Sequence, residues 1–123
     1  MKAYLVLDFR IHDFRAFKPY IDNVPAFIAK HGGRYIVQGA EPTPLEGDWR
    51  PERMVILEFP SRQNATDFLN DPEFQGLLAL RHRTTTSHLV LVDDVMTTGA
   101  SLHAAARTLR QAGATHITAL VLA

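Results

Sequence analysis

The sequence predicts an α+β domain with the element order β-α-β-β-α-β, lengthened at the C-terminal end by a further helix and strand. Two observations carry this prediction. Short apolar runs rich in β-forming residues occur at four places before residue 94. Apolar residues at helical spacing lie between the first and second runs and again between the third and fourth. This order is the split βαβ arrangement of ferredoxin-like folds.

Size and composition fit one globular domain. The chain has 123 residues, of which 46% are hydrophobic and 21% charged, and its formal net charge is zero. Such a balance argues against a nucleic-acid-binding surface, which requires a basic face. Without cysteine there is no disulfide and no thiolate ligand or nucleophile. No apolar run approaches the length of a membrane span, and the N-terminus opens a strand rather than a signal peptide, so a cytoplasmic location is expected.

The first half of the chain begins with a strand over Ala3–Phe9. Asp13 is a suitable N-cap for a helix that extends to Lys30. Apolar residues at three- and four-residue steps form one stripe along this helix: Phe14, Phe17, Ile21, Val24 and Ile28. Pro19 and Pro25 interrupt this stretch and predict a kink or two shorter helices.

The second half continues with strands over Arg34–Gln38 and Met54–Phe59, joined by a long loop. A helix then begins after Ser61 as N-cap. The sequence Asn70-Asp71-Pro72 breaks and restarts this helix, which continues to about Arg83. A connector over Thr84–Ser87 leads to the fourth strand, His88–Asp93.

The stretch after this strand has the composition of an anion-binding loop. Two carboxylates, Asp93 and Asp94, end the apolar run, and the small polar residues 97–101 lead into a helical pattern over Leu102–Gln111. Unpaired backbone N–H groups at a helix start attract anions, and carboxylates accept hydrogen bonds from sugar hydroxyls. An ordinary β-turn-α unit, in which these side chains merely cap the helix, is the alternative. A fifth strand is predicted over Ile117–Leu122.

Residues Val90 to Ser101, with the segment that follows to Ala123, resemble the 5-phosphoribosyl 1-diphosphate binding motif of ComF-like type I phosphoribosyltransferases. The resemblance implies that Asp93 and Asp94 bind the ribose hydroxyls. It also implies a loop around the 5-phosphate and Mg²⁺ wherever phosphoribosyl diphosphate is bound. The loop residues are Thr97, Thr98, Gly99, Ala100 and Ser101.

Residues Ala3 to Asp93 resemble a bacterial family of small uncharacterised domains in the dimeric α/β-barrel superfamily. The motifs that carry the resemblance are His31-Gly32-Gly33-Arg34-Tyr35, Leu45 to Pro51, Leu57 to Ser61 and Pro72 to Gln75. It implies a ferredoxin-like fold and a homodimer. The predicted organisation is a ferredoxin-like domain over residues 1–93 and an appended segment over residues 89–123 that shares the fourth strand. A natural fusion, a recombination product and an artificial chimera would all give this junction.

Four residues are candidates for a pocket in the first domain: His31, Arg34, Glu46 and Trp49. Each also has a plain structural interpretation. His31 suits a helix C-terminus, Trp49 suits a loop anchor, and Arg34 suits an ion pair with Glu46. The six histidines show no metal-ligand spacing, so no metal site is predicted.

The functional prediction is a homodimeric domain that binds a small phosphorylated molecule and lacks full catalytic machinery, with no catalytic residue assigned. The reason is that the parts of a phosphoribosyltransferase that normally precede the motif are absent. A minimal ComF-like phosphoribosyltransferase and a structural tail with a vestigial motif are the alternatives. The structural prediction is a mixed sheet with all helices on one face. Strand residues alternate across this sheet, and whichever set points away from the helices is expected to be covered by self-association; examples are Tyr4, Val6, Ile36, Val55 and Leu57.

Overall fold

The computed structural model describes residues 1–93, and the predicted helix Leu102–Gln111 and strand Ile117–Leu122 lie outside these residues. The βαββαβ order is confirmed. A short 3₁₀ turn, Pro72–Phe74, lies between the last two helices. The elements are β1 (Ala3–Ile11), α1 (Phe14–Lys30), β2 (Arg34–Ala40), β3 (Arg53–Phe59), α2 (Arg62–Asn70), α3 (Gln75–Thr84) and β4 (Thr85–Asp93).

The four strands form one sheet in the order β2-β3-β1-β4, and every neighbouring pair is antiparallel. The prediction of a mixed sheet is therefore wrong for these strands. The helical connections join β1 to β2 and β3 to β4. The strands of each pair run parallel, but one other strand lies between them in the sheet. At the centre, Leu5 lies opposite Leu57 on one side and Leu91 on the other.

The helices cover one face of the sheet, as predicted. Burial alternates along β1, where Ala3, Leu5, Leu7 and Phe9 are buried and the residues between them are not. The buried strand residues pack with the inner sides of α1 and α2 in one core. We call the other side the open face. Its apolar residues are Tyr4, Val6, Ile56, Val90 and Val92.

The long helix α1 is a single helix, so the prediction of two shorter helices is wrong. Asp13 caps it as predicted, because its side chain accepts a hydrogen bond from the Ala16 N–H at 3.1 Å. Pro19 and Pro25 both lie on the exposed side, where water can bond the carbonyls that their missing N–H groups leave free. The helix therefore continues through both prolines.

Strand β4 begins at Thr85, so most of the predicted connector Thr84–Ser87 belongs to a strand. Thr85 pairs with Ile11 and Ser87 with Phe9, which extends β1 two residues beyond its predicted end. The threonines favour this extended pairing because they are β-branched. Strand β2 also continues further than predicted, to Ala40, and its pairing with β3 shifts register at two places.

Gly33 lies where β2 begins, against the ring of Phe59, which is fully buried. A Cβ atom at position 33 would stand 2.5 Å from the Phe59 Cε1 atom. The close approach of these two strands therefore requires a residue without a side chain.

We expect Gly33→Ala to lower the free energy of unfolding by roughly 1–3 kcal/mol, because the methyl group forces Phe59 out of its packed position. Gly76→Ala is the matched control. Gly76 lies in α3, and no atom stands within 4 Å of the place that an alanine methyl group would take, so alanine there should stabilise the helix by about 0.5–1 kcal/mol. Urea denaturation of both variants measures the difference, and equal stabilities would contradict the packing role of Gly33.

Candidate functional site

A largely apolar cavity of about 360 Å³ lies between α1 and the helix-covered face of the sheet. Residues of all four strands contribute to its floor. Because neighbouring strands lie about 4.8 Å apart, this floor spans roughly 14 Å. Its apolar lining includes Leu5, Leu7, Phe17, Val24, Val55, Leu57 and Leu89. These dimensions suit a small organic molecule.

The cavity has an exposed mouth and a buried inner end. Phe14 and Ile21 on α1 lie at the mouth with 54% and 42% of their surface exposed. Gln38 and Arg53, which are also exposed, line the cavity from the ends of β2 and β3. Arg81 on α3 lines the inner end, where it is only 3% exposed.

Three polar side chains converge in this apolar space: Tyr20, Tyr35 and Arg81. Burial raises the pKa of Tyr20, and the nearby Arg81 charge only partly offsets this effect. Burial also raises the pKa of Tyr35 and lowers the pKa of Arg81. Within residues 1–93 the buried Nε atom of Arg81 has no hydrogen-bond partner, so this donor remains available to a ligand.

The sequence-predicted residue His31 lies elsewhere, in a cluster that joins the end of α1 to the break between α2 and α3. The Nε2 atom of His31 and the Nζ atom of Lys30 each lie 2.8 Å from Asp71 Oδ2. The other carboxylate oxygen of Asp71 accepts a hydrogen bond from the Glu73 N–H at 3.0 Å. These contacts hold the pKa of Asp71 well below its usual range, chiefly through Lys30 and then His31. The cluster ties the helices together.

Arg34 and Glu46 do not form the predicted ion pair. Arg34 instead bonds Glu58, with 3.1 Å between its Nε atom and Glu58 Oε1, on the adjacent strand. This contact is the main reason why the pKa of Glu58 is lowered. Glu46 is exposed in the loop between β2 and β3.

Trp49 anchors the long loop to the open face, because its indole N–H donates to Asp8 Oδ2 at 2.9 Å. Beside it lies a polar cleft of about 260 Å³ at one end of the open face. His12 and Thr86 bond across this cleft, with 2.6 Å between Nε2 and Oγ1. The cleft is lined by Asp8, Arg10, His12, Arg50, Pro51, Glu52, Thr86 and His88. Over the described part of the chain, no group of three or more histidines and carboxylates is placed to hold a metal ion.

The four predicted pocket residues therefore do not meet in one site, and none of them lines the cavity. Of the residues predicted to bind the ribose and its phosphate, only Asp93 lies within the described residues. Its carboxylate forms an ion pair with Arg62, with 2.8 Å between Oδ2 and Nη1. Asp94 and the phosphate-loop residues 97–101 lie outside them.

Comparison with known families decides the relationship of the chain. Residues 2–95 match the family described as Domain of unknown function (DUF1330). The chain belongs to this family. The match confirms the predicted resemblance of Ala3 to Asp93 to a family of uncharacterised domains. Nothing in the comparisons supports the resemblance to ComF-like phosphoribosyltransferases, and no curated protein matches the chain.

Solved structures similar to this DUF1330 domain confirm its ferredoxin-like fold. A protein of unknown function from Rhodopseudomonas palustris has 18% identity and a TM-score of 0.63, over 74% of this chain and 80% of that one. SnoaB, a cofactor-independent oxygenase from Streptomyces nogalater, has 19% identity and a TM-score of 0.55, over 75% and 91%. A dimeric ferredoxin-like protein of unknown function from Jannaschia sp. has 8% identity and a TM-score of 0.55, over 76% and 99%.

Sequence reasoning missed the polar residues of the DUF1330 cavity. The spacing of apolar residues before Arg81 did contain a signal that its side chain lies on the buried side of α3. Phe74, Leu77 and Leu78 precede it at helical steps of seven, four and three residues, so a cation follows on the apolar side of the helix. Tyr20 and Tyr35 carry no comparable signal, because tyrosine is common in helices and strands alike.

We expect Asp71→Asn to be less stable than the parent DUF1330 chain at pH 7, because the variant loses its charge beside Lys30 and His31. The native pKa of Asp71 lies below its unfolded value, so its stabilising effect is complete above about pH 5 and declines as the pH falls. The stability difference between parent and variant should therefore shrink below about pH 4. Urea denaturation between pH 7 and pH 3 measures this, and a constant difference over that range would contradict the pairing.

Proposed function

We propose that this DUF1330 domain binds a small, mostly apolar molecule in the cavity between α1 and the sheet. The observation that carries the proposal is an apolar cavity of about 360 Å³ lined by three polar side chains, Tyr20, Tyr35 and Arg81. Within residues 1–93 the buried Nε atom of Arg81 lacks a hydrogen-bond partner. Apolar walls with a few convergent polar groups are typical of small-molecule sites. The similarity to SnoaB supports the fold, and the proposal for this chain is restricted to binding.

The apolar walls supply most of the binding free energy. A two-ring aromatic molecule that buries roughly 250 Å² of apolar surface gains about 6 kcal/mol from transfer out of water. Lost translational and rotational freedom offsets a large part of this gain. The expected affinity for such a molecule without a charged group is therefore weak, with Kd on the order of 1 mM.

Enlarging a side chain of the cavity wall should weaken this binding. Val55 lies on β3 with its side chain in the cavity, so Val55→Phe fills part of the space that the ligand needs. We expect the affinity for the neutral probe 2-naphthamide to fall by at least about 10-fold, measured by titration calorimetry. Ala26→Phe adds a ring of the same size to the exposed side of α1, outside the cavity and the open face, and should bind as the parent does. Equal affinities of all three proteins, or no binding to the parent, would overturn the proposal.

We also propose that the domain is a homodimer that covers its open face. Tyr4, Val6 and Ile56 are half-buried there, and Val90 and Val92 are 55% and 44% exposed, which forms an apolar area without helices above it. The similar protein from Jannaschia sp. is described as dimeric and shares the fold.

In residues 1–93 no helix is long and apolar enough to cross a membrane.

Light scattering should give a mass near twice 13.8 kDa at micromolar concentration. Val90→Arg should shift the protein toward monomer, because it places a charge in the apolar contact. Ala26→Arg adds the same charge to the exposed side of α1 and should leave the mass unchanged. A clean monomer for the parent would contradict the dimer.

The phosphoribosyl motif remains a separate proposal, in which Asp93 and Asp94 hold a ribose and residues 97–101 hold its 5-phosphate, with Mg²⁺ when phosphoribosyl diphosphate binds. The arrangement of charged and small residues in the sequence supports it. The ion pair of Asp93 with Arg62 competes with the ribose contact. Binding is proposed rather than turnover. A minimal phosphoribosyltransferase would in addition release diphosphate in the presence of a nucleobase.

Calorimetry with ribose 5-phosphate and with phosphoribosyl diphosphate, each with and without Mg²⁺, tests this motif. Gly99→Val should abolish binding, because its side chain occupies the space through which the backbone approaches the phosphate. Asp94→Asn should weaken binding of the ribose compounds more than it weakens binding of free phosphate. Absence of binding at millimolar concentration, or unchanged binding by Gly99→Val, would favour a vestigial tail.

A further inference from the structure

We propose that the ligand of the cavity is a small carboxylic acid with an apolar body, and that Arg81 receives its carboxylate at the inner end. This inference rests on the proposed binding function and specifies the class of ligand. The apolar body would lie between α1 and the sheet, and its far end would point toward the mouth near Gln38 and Arg53.

Arg81 is buried without an acidic partner among the described residues. The residue is 3% exposed, yet no carboxylate in residues 1–93 lies within ion-pair distance of its guanidinium. Its Nε atom is buried without a hydrogen-bond partner. Buried arginines are normally paired, since an unpaired charge away from water is costly. An anion that enters the cavity would supply the missing partner.

The geometry around the Arg81 guanidinium suits an anion. Arg81 lies over the ring of Tyr20, with 5.8 Å between its Cζ atom and the ring centroid. Tyr20 is itself held by stacking on Phe17 at 5.1 Å. A guanidinium against an aromatic face keeps its in-plane N–H groups free for a carboxylate, which they bind in a paired fashion. The hydroxyls of Tyr20 and Tyr35, which line the same cavity, are further donors.

The position of Arg81 differs from that of an ordinary cation at a helix end. Arg81 lies in the last turn of α3, where cations often stabilise the free carbonyl groups. His82 and Arg83 occupy the same turn and are exposed, so they serve this purpose from solvent. A cation needed only for the helix end would not have to be placed in an apolar cavity. The position of Arg81 therefore indicates recognition of an anion from inside the domain.

Arginine stays protonated even where burial lowers its pKa, so the cavity carries a positive charge at neutral pH. The charge is already desolvated in the folded protein. A carboxylate ligand therefore pays only for its own loss of water and gains charge-assisted hydrogen bonds in return. A neutral ligand of the same shape gains none of this. The structure thus favours an acid over its amide.

The test compares 2-naphthoate with 2-naphthamide, which share one apolar body and differ in charge. For the parent chain, calorimetry at pH 7 should show the acid binding about 10- to 100-fold more tightly than the amide. Arg81→Met keeps a long side chain and removes the charge. This variant should therefore bind the acid no more tightly than it binds the amide. The amide should bind this variant as it binds the parent. Arg83→Met removes an exposed cation from the same helix and should keep the preference for the acid.

The stability of Arg81→Met provides a second measurement, because replacing a purely structural arginine would lower it. Because Arg81 is unpaired, Arg81→Met should be as stable as the ligand-free parent or more stable in urea denaturation. A marked loss of stability, or a variant that does not fold, would mean that Arg81 serves the fold and would overturn the inference. Equal binding of acid and amide by the parent would also overturn it while leaving the proposed function intact. Failure of both probes to bind would remove the proposed function itself.

Discussion

The structure depends on the register of β1 with its two neighbours, in which Leu5 lies between Leu57 and Leu91. Because strand side chains alternate, this row assigns every second residue to the helix side and the rest to the open face. A slip of one residue would exchange the two sets. The same register therefore places the apolar cavity beneath α1 and the polar cleft around Asp8 and His88 on the opposite side. One pairing pattern creates two surfaces of different chemistry.

The helix layer is filled unevenly, and this leaves space for the cavity. Large rings pack closely at one end, where Phe68 lies 4.6 Å from Phe74 and 5.4 Å from Phe59 between ring centroids. On α1, Phe17 stacks on Tyr20, and Tyr20 lies 6.1 Å from Phe74 between ring centroids. Leucine and valine side chains of the strands do not fill the gap that remains. The cavity is thus a consequence of aromatic packing in a small helix layer.

The element order was predictable because its signals are local. Asp13 and Ser61 cap their helices as expected, and Asp71-Pro72 restarts a helix as expected. The continuity of α1 was not predictable from its prolines alone, since their effect depends on which side of the helix meets water. Local signals of this kind decide secondary structure but not the contacts between elements.

The candidate site was much less predictable, because it depends on which polar side chains lack a partner in the folded chain. A sequence shows Arg81 beside apolar residues but does not show that no carboxylate of residues 1–93 comes near it. Conversely, Arg34 and Trp49 look like pocket residues, while cross-strand and loop contacts with Glu58 and Asp8 occupy them. Long-range pairs of this type separate an available polar group from one already satisfied, and only the folded chain reveals them.

The irregular pairing of β2 has a consequence for solubility. β2 is an edge strand, and its register with β3 shifts between Tyr35 and Val37 and again between Gln38 and Ala40. A regular edge offers a continuous row of free backbone groups on which another chain can add a strand, which is a route to fibrous aggregates. Bulges twist such an edge and break the row. The domain thereby discourages growth of its sheet from this side, and association through the face rather than the edge can stop at a closed, finite assembly.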